Sequence, residues 1–291
     1  MPLLWLLLLA GGAHAAPTRA PDAGNATLLR DVRISVRVEG DGRDARIELP
    51  LVVADEHQEL LSEELTTRGF AVEQVVRDGN RLAILTFPKL TGRKRITYAF
   101  RVRTHATAWP LEPAPFIDPA DADADDRPWL RPTRYLQSSS PLMRERLARY
   151  ATPRLEAGES DAIQIAWDLA STGYVKKAGG SRNVLKATRT GHASDKGLDR
   201  LLATFLRTSG VPARPVGGID LGREKGKRGT SWVEVRSGGR FVPMSVGKGL
   251  RGELPARFLK LYHGDRPLLS RDGVAKASYR IKVTRPEVPA P

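Results

Sequence analysis

The sequence predicts an α+β protein in which an N-terminal β-sandwich precedes a domain of helices packed on an antiparallel sheet. Two changes of periodicity carry that expectation. Between residues 32 and 102 apolar side chains recur at every second position, as in half-buried strands. From Tyr135 they recur at every third or fourth position, and three strand-like runs then follow in succession.

The elements follow in order. Val32, Ile34, Val36 and Val38 alternate with Arg33, Ser35, Arg37 and Glu39. Asp41-Gly42 is a turn, after which Ala45, Ile47 and Leu49 alternate again. Residues 70–76, 82–87 and 96–102, separated by Asp78-Gly79-Asn80 and Thr91-Gly92, continue the rhythm. Together they define a sandwich over residues 28–106, with residues 59–67 expected to form a helical turn. Residues 107–134 contain Pro110, Pro113, Pro115, Pro119, Pro128 and Pro132 around Asp121-Ala122-Asp123-Ala124-Asp125-Asp126. Proline restricts itself and the residue before it, so this stretch reads as an extended linker. Its acidic run is either solvated or shields the basic face of the next domain.

A second domain is expected over residues 135–285. Ser138-Ser139-Ser140 caps a helix with Pro141 in its first turn, and Leu142, Leu147 and Tyr150 share one stripe. Ile163, Trp167 and Ala170 form another stripe, ended by Gly173. Leu198, Leu201, Leu202, Phe205 and Leu206 make the strongest helix, ending at Gly210. Strands are expected over residues 214–221, 231–236 and 240–246, a short helix over 254–262, and a final strand over 277–283.

Composition excludes several chemistries. The 291 residues include no cysteine, so disulfides, Cys-ligated metals and thiol nucleophiles are impossible. The net charge is +14, and residues 207–291 hold most of it, with 18 Lys and Arg against 7 Asp and Glu. Such a surface attracts an anionic partner. Residues 1–16 read as a signal peptide, with an apolar run over residues 3–9 and the cleavage pattern Ala13-His14-Ala15. No later stretch is apolar enough to span a bilayer, so the mature chain is expected to be periplasmic or secreted.

The segment Leu201-Leu202-Ala203-Thr204-Phe205-Leu206-Arg207-Thr208-Ser209-Gly210-Val211-Pro212-Ala213-Arg214 is similar to a signature of the transglutaminase-like (papain-type) superfamily. Ser231-Trp232-Val233-Glu234-Val235 and Phe241-Val242-Pro243-Met244-Ser245 resemble its two following strands. The resemblance implies a helix that starts with a catalytic Cys, a His on the next strand and an Asp on the one after. Those positions fall on Asp195 (or Ala193 in a gapped alignment), Thr230 and Ser245. None supplies the required nucleophile, base or orienting carboxylate. The run from Leu254 to Leu269 further resembles inactive transglutaminase domains that are usually exported and fused to seven transmembrane helices; no stretch of this sequence resembles such helices.

The remaining motifs are weaker. His57, His105, His192 and His263 are too scattered for a metal site, and Gly247-Lys248-Gly249 lacks the phosphate-loop pattern, so no metal and no cofactor is expected. Ser194 or Asp195 is a natural N-cap. The basic loop with Arg223, Lys225, Lys227 and Arg228 is either a solvated hairpin tip or an anion-recognition edge. Arg214 is expected in an ion pair and Trp232 in the core. The leading expectation is therefore a non-catalytic binding or scaffold module for an acidic peptide, an envelope polymer or an envelope protein, with no nucleic-acid partner. The competing one is a hydrolase or acyltransferase built on His192, Ser194 or Asp195.

Overall fold

A computed structural model describes residues 27–223 and 229–286. The signal-peptide expectation for residues 1–16 lies outside them. Six strands open the fold: β1 (Thr27–Asp41), β2 (Ala45–Leu51), β3 (Gln58–Thr67), β4 (Ala71–Arg77), β5 (Asn80–Phe87) and β6 (Thr91–His105). The alternation works as expected. Val32, Ile34 and Val36 of β1 lie opposite Phe100, Tyr98 and Ile96 of β6, and all six are buried. They face Ile47, Leu49 and Leu85 of the second sheet in one core.

The helical turn expected over residues 59–67 is instead β3. Its pairing with β6 overrides the helix preference of its Glu and Leu residues. Glu59 meets Arg103 at 2.6 Å and Tyr98 donates to Glu63 at 2.7 Å.

The segment expected as a linker is a strap fastened at several points. Its short strand β7 (Thr107–Ala108) pairs with β14 (Glu253–Leu254). Trp109, Leu111, Ala114 and Phe116 pack on the helical core, and Ala122 and Leu130 are buried. Within the acidic run, Asp126 approaches Arg236 at 3.6 Å, while Asp121, Asp123 and Asp125 are exposed.

The second half contains α1 (Pro141–Glu156), α2 (Ala162–Thr172), β8 (Val175–Ser181), α3 (Val184–Thr190), β9 (His192–Ala193) and α4 (Asp195–Thr208). Then come β10 (Ala213–Asp220), β11 (Gly229–Ser237), β12 (Arg240–Ser245), β13 (Leu250–Arg251), β14, β15 (Phe258–His263), β16 (Ser270–Asp272) and β17 (Lys276–Thr284). Every residue of α4 from Gly197 to Arg207 is buried, because α2 covers one side and the sheet β13-β12-β11-β10-β15 the other.

Two expectations are corrected here. Residues 254–262 form strands β14 and β15 in place of a helix; Phe258, Leu259 and Leu261 are buried on both faces of β15, which leaves no solvent-facing helical stripe. The last strands do not stay with the second domain: β17 pairs with β1 and β16 with β2. The sandwich sheets therefore run β17-β1-β6-β3 and β16-β2-β5-β4.

The two halves are joined through the outer edge of β15. Buried backbone groups need partners, and two side-chain amides act here like strand segments. Gln58 donates to the Lys260 carbonyl at 3.0 Å and accepts from its N–H at 2.8 Å. Asn80 donates to the His263 carbonyl at 2.9 Å and accepts from its N–H at 2.8 Å. His57 lies 2.6 Å from the Phe258 carbonyl. Asn80→Ala leaves both His263 backbone groups buried without partners. It is expected to lower stability by about 2–3 kcal/mol, read as a lower urea midpoint at unchanged slope.

Candidate functional site

The site is built where α4 begins. Ser194 precedes the helix in extended backbone, and its Oγ accepts from the Gly197 N–H at 3.2 Å. Asp195 is the first helical residue, with its side chain half exposed, and pairs with Lys176 of β8 at 2.8 Å. Lys176 also donates to the Gly247 carbonyl at 2.9 Å. The turn after β12 presses directly on this corner, since a Cβ on Gly247 would lie 2.8 Å from the Asp195 Cβ. Ala193, the gapped alternative to Asp195, is fully buried in β9.

Thr230 lies on β11 opposite Gly218 of β10. Gly218 is required there, because a Cβ would meet the Leu259 carbonyl at 2.2 Å and the Trp232 ring at 2.9 Å. Ser245 ends β12, fully buried, and donates to Asp199 Oδ1 at 2.9 Å. Asp195 and Thr230 line one open groove, and Ser245 sits behind its wall.

The carboxylate of this centre comes from α4. Asp199 stands one turn after Asp195 and also accepts from the Gly247 N–H at 3.3 Å. Lys248 reaches in from the groove, 3.8 Å from Asp199 Oδ2 and 2.5 Å from the Ser231 carbonyl. Sequence reasoning missed both residues. A signal was available for Asp199: an acid inside a helix whose strongest stripe is apolar calls for a buried polar partner.

Burial pushes the Asp199 carboxyl up to about 6, with Lys248 and then Ser245 opposing the shift. A carboxyl whose folded value exceeds its ordinary 3.8 favours the folded state while protonated, and that contribution is lost as pH rises through about 6. His263 acts in the opposite sense. Burial and then Arg214 depress it to about 4, so its contribution is present above its ordinary 6.5 and lost as pH falls through about 4. In that window the two offset each other. Asp199→Asn removes only the first, so the variant is expected to lose stability on acidification more steeply than the parent, measured as urea midpoints across the same pH range.

The groove itself has a volume of about 1450 Å³. Among the described residues, nine cations line it: Lys176, Lys177, Arg182 and Lys196 from the helical side, Arg223, Lys248 and Arg257 from the sheet, and Arg280 and Lys282 from β17. Only Asp195 and Asp220 oppose them. Of the basic loop singled out in the sequence, Arg223 is at the groove, while Lys225, Lys227 and Arg228 lie outside the described residues. His192 is exposed on β9 and is not part of the lining. Arg214 pairs with Glu234 at 2.6 Å, and Trp232 is buried. Among the described residues no group of three His, Asp or Glu is placed to hold a metal ion, and no helix is long and apolar enough to cross a membrane.

The helix that starts at the groove and the antiparallel strands after it, with Thr230 and Ser245, fall in the part of the chain that is similar to a known family. Residues 146–246 match the family model of the Transglutaminase-like superfamily. The whole fold is similar to a Cytophaga hutchinsonii protein described as a candidate cysteine protease, with a TM-score of 0.65, 15% identity, and coverage of 91% of this chain and 94% of that one. A Parabacteroides distasonis protein described as a candidate protease aligns with a TM-score of 0.29 and 10% identity, over 72% of this chain and 42% of that one. No curated protein matches in sequence.

Proposed function

We propose that this protein is an exported, non-catalytic transglutaminase-like module that holds an acidic peptide of a cell-envelope partner in its basic groove. The observation that carries this reading is the composition of the groove, nine cations against two carboxylates, with Asp195 and Thr230 among its lining residues. The sequence resemblance puts the nucleophile and base positions on Asp195 (or Ala193) and Thr230, which do not make a nucleophile–base pair. Ser194 Oγ accepts from the Gly197 N–H as a helix cap, which accounts for this hydroxyl structurally. The engagement also argues against a hydrolase or acyltransferase centred on His192, Ser194 or Asp195.

Cations spaced along a groove recognise a chain of negative charge through summed, screened attraction, so affinity falls with salt. The test is a titration of the purified protein with acidic, neutral and basic peptides of equal length at low and high salt. Saturable binding of the acidic peptide alone, weakened by salt, is expected. Equal binding of all three, or none, contradicts the reading.

A further inference from the structure

The wall of the groove contributed by the sandwich has an unusual lining. Residues 279–283 of β17, five in succession, all border it. Successive side chains of a strand point to opposite faces. A groove lined by one face would therefore touch alternate residues, and contact with five consecutive ones means that β17 lies edge-on to the groove. Among the described residues β17 pairs with β1 alone, at the end of the order β17-β1-β6-β3. Its outer edge thus presents backbone N–H and C=O groups without strand partners, which is a template for another strand.

The side chains along this edge sort by face. Arg280 and Lys282 are exposed on one, while Tyr279, Ile281 and Val283 lie on the other. Ile281 and Val283 pack on the sandwich core, and Tyr279 is 49% exposed beside the groove. A strand added here would set every second side chain beside two cations and the intervening ones beside an aromatic and aliphatic row. Opposite-charge and aromatic–apolar neighbours across strands are the favourable pairs. Lys177 and Arg257 line the same groove and add to its positive field.

We propose that the partner peptide binds by strand addition to the outer edge of β17, and that its recognised feature is an extended run alternating acidic and apolar residues. This rests on the basic groove as the binding site and adds the mode and the sequence pattern.

The test uses the purified protein and four peptides of one length and composition. One alternates Glu and Val. A second carries the same residues in two blocks. The last two are the alternating peptide N-methylated at odd or at even positions, so that only one set of backbone donors survives. The alternating peptide is expected to bind best, and one N-methylation register to weaken it by about tenfold or more while the other changes it little. Amide exchange at every second residue within 279–283 is expected to slow on binding. Salt-sensitive binding that ignores both block order and N-methylation, with unchanged exchange along β17, overturns strand addition and leaves the groove reading standing. Absence of binding by any of the peptides, or binding of polyphosphate in their place, overturns both.

Discussion

The triple variant Lys177→Glu, Arg280→Glu, Lys282→Glu is expected to bind an acidic peptide roughly a hundredfold more weakly than the parent at low salt. All three side chains are exposed and line the groove, and they come from β8 and β17 on its two sides. Each exposed charge contact contributes about 0.5 kcal/mol, and reversal replaces that attraction with repulsion of similar size, so each reversal costs about 1 kcal/mol. Three reversals therefore add to about 3 kcal/mol. The loss is expected mainly in the association rate, because charges at a rim steer the encounter. In about 1 M salt, where screening acts within about 3 Å, parent and variant should converge. Thermal melts should coincide, since none of the three belongs to a buried ion pair. A variant that keeps parental affinity at low salt would place the acidic ligand elsewhere.

Glu234→Ala is expected to destabilise the fold by about 3–5 kcal/mol. Glu234 is buried on β11 and receives Arg214 of β10 at 2.6 Å and Lys260 of β15 at 3.3 Å. Lys260 also reaches Asp55 of the sandwich at 2.7 Å. Burial alone would raise the Glu234 carboxyl, yet Lys260 and Arg214 together hold it below its ordinary value. Removing the carboxylate strands the Arg214 guanidinium, which is packed 3.9 Å from the Phe241 ring centre, with nothing to neutralise it. Glu234→Gln keeps hydrogen-bonding capacity without the charge and should fall between parent and Ala variant. Denaturant unfolding of the three proteins measures this. A loss below about 1 kcal/mol for the Ala variant would show that the network contributes no more than a surface pair.

The parts of the fold legible in the sequence are those whose pattern has one dry face. The strands containing Val32–Val38 and Ile96–Val102 alternate cleanly because one side meets the sandwich core and the other meets water. The stripe of α4 was legible for the same reason, although tertiary packing buries the helix on all sides from Gly197 to Arg207. β3 was missed because it carries Glu59, Glu63 and Glu64, the first two satisfied by Arg103 and Tyr98 of β6, partners that sequence spacing does not reveal. β15 was missed because burial on both faces erases alternation, and its edge is closed by Gln58 and Asn80 from about 180–200 positions away. The return of β17 to the first strand is a long-range pairing with no local signal.

The site divides in the same way. Asp195, Thr230 and Ser245 were found through motif words that lie close together in sequence. Asp199 and Lys248 become neighbours only when the turn after β12 packs on α4. The charge excess of the last 85 residues was visible as arithmetic, but its focus was not. Lys248, Arg257 and Arg280 are drawn to one groove from separate parts of that stretch, joined there by Lys177 of β8, and only the topology does that.

The proposed function is binding without turnover. Its most direct test is to incubate the protein with an acidic peptide and follow both by mass spectrometry while occupancy is read in parallel. Saturable occupancy, full release of the peptide by high salt, and unchanged masses for peptide and protein are expected. A cleaved peptide or an acylated protein, formed by the parent and lost in His192→Ala or Ser194→Ala, would contradict it.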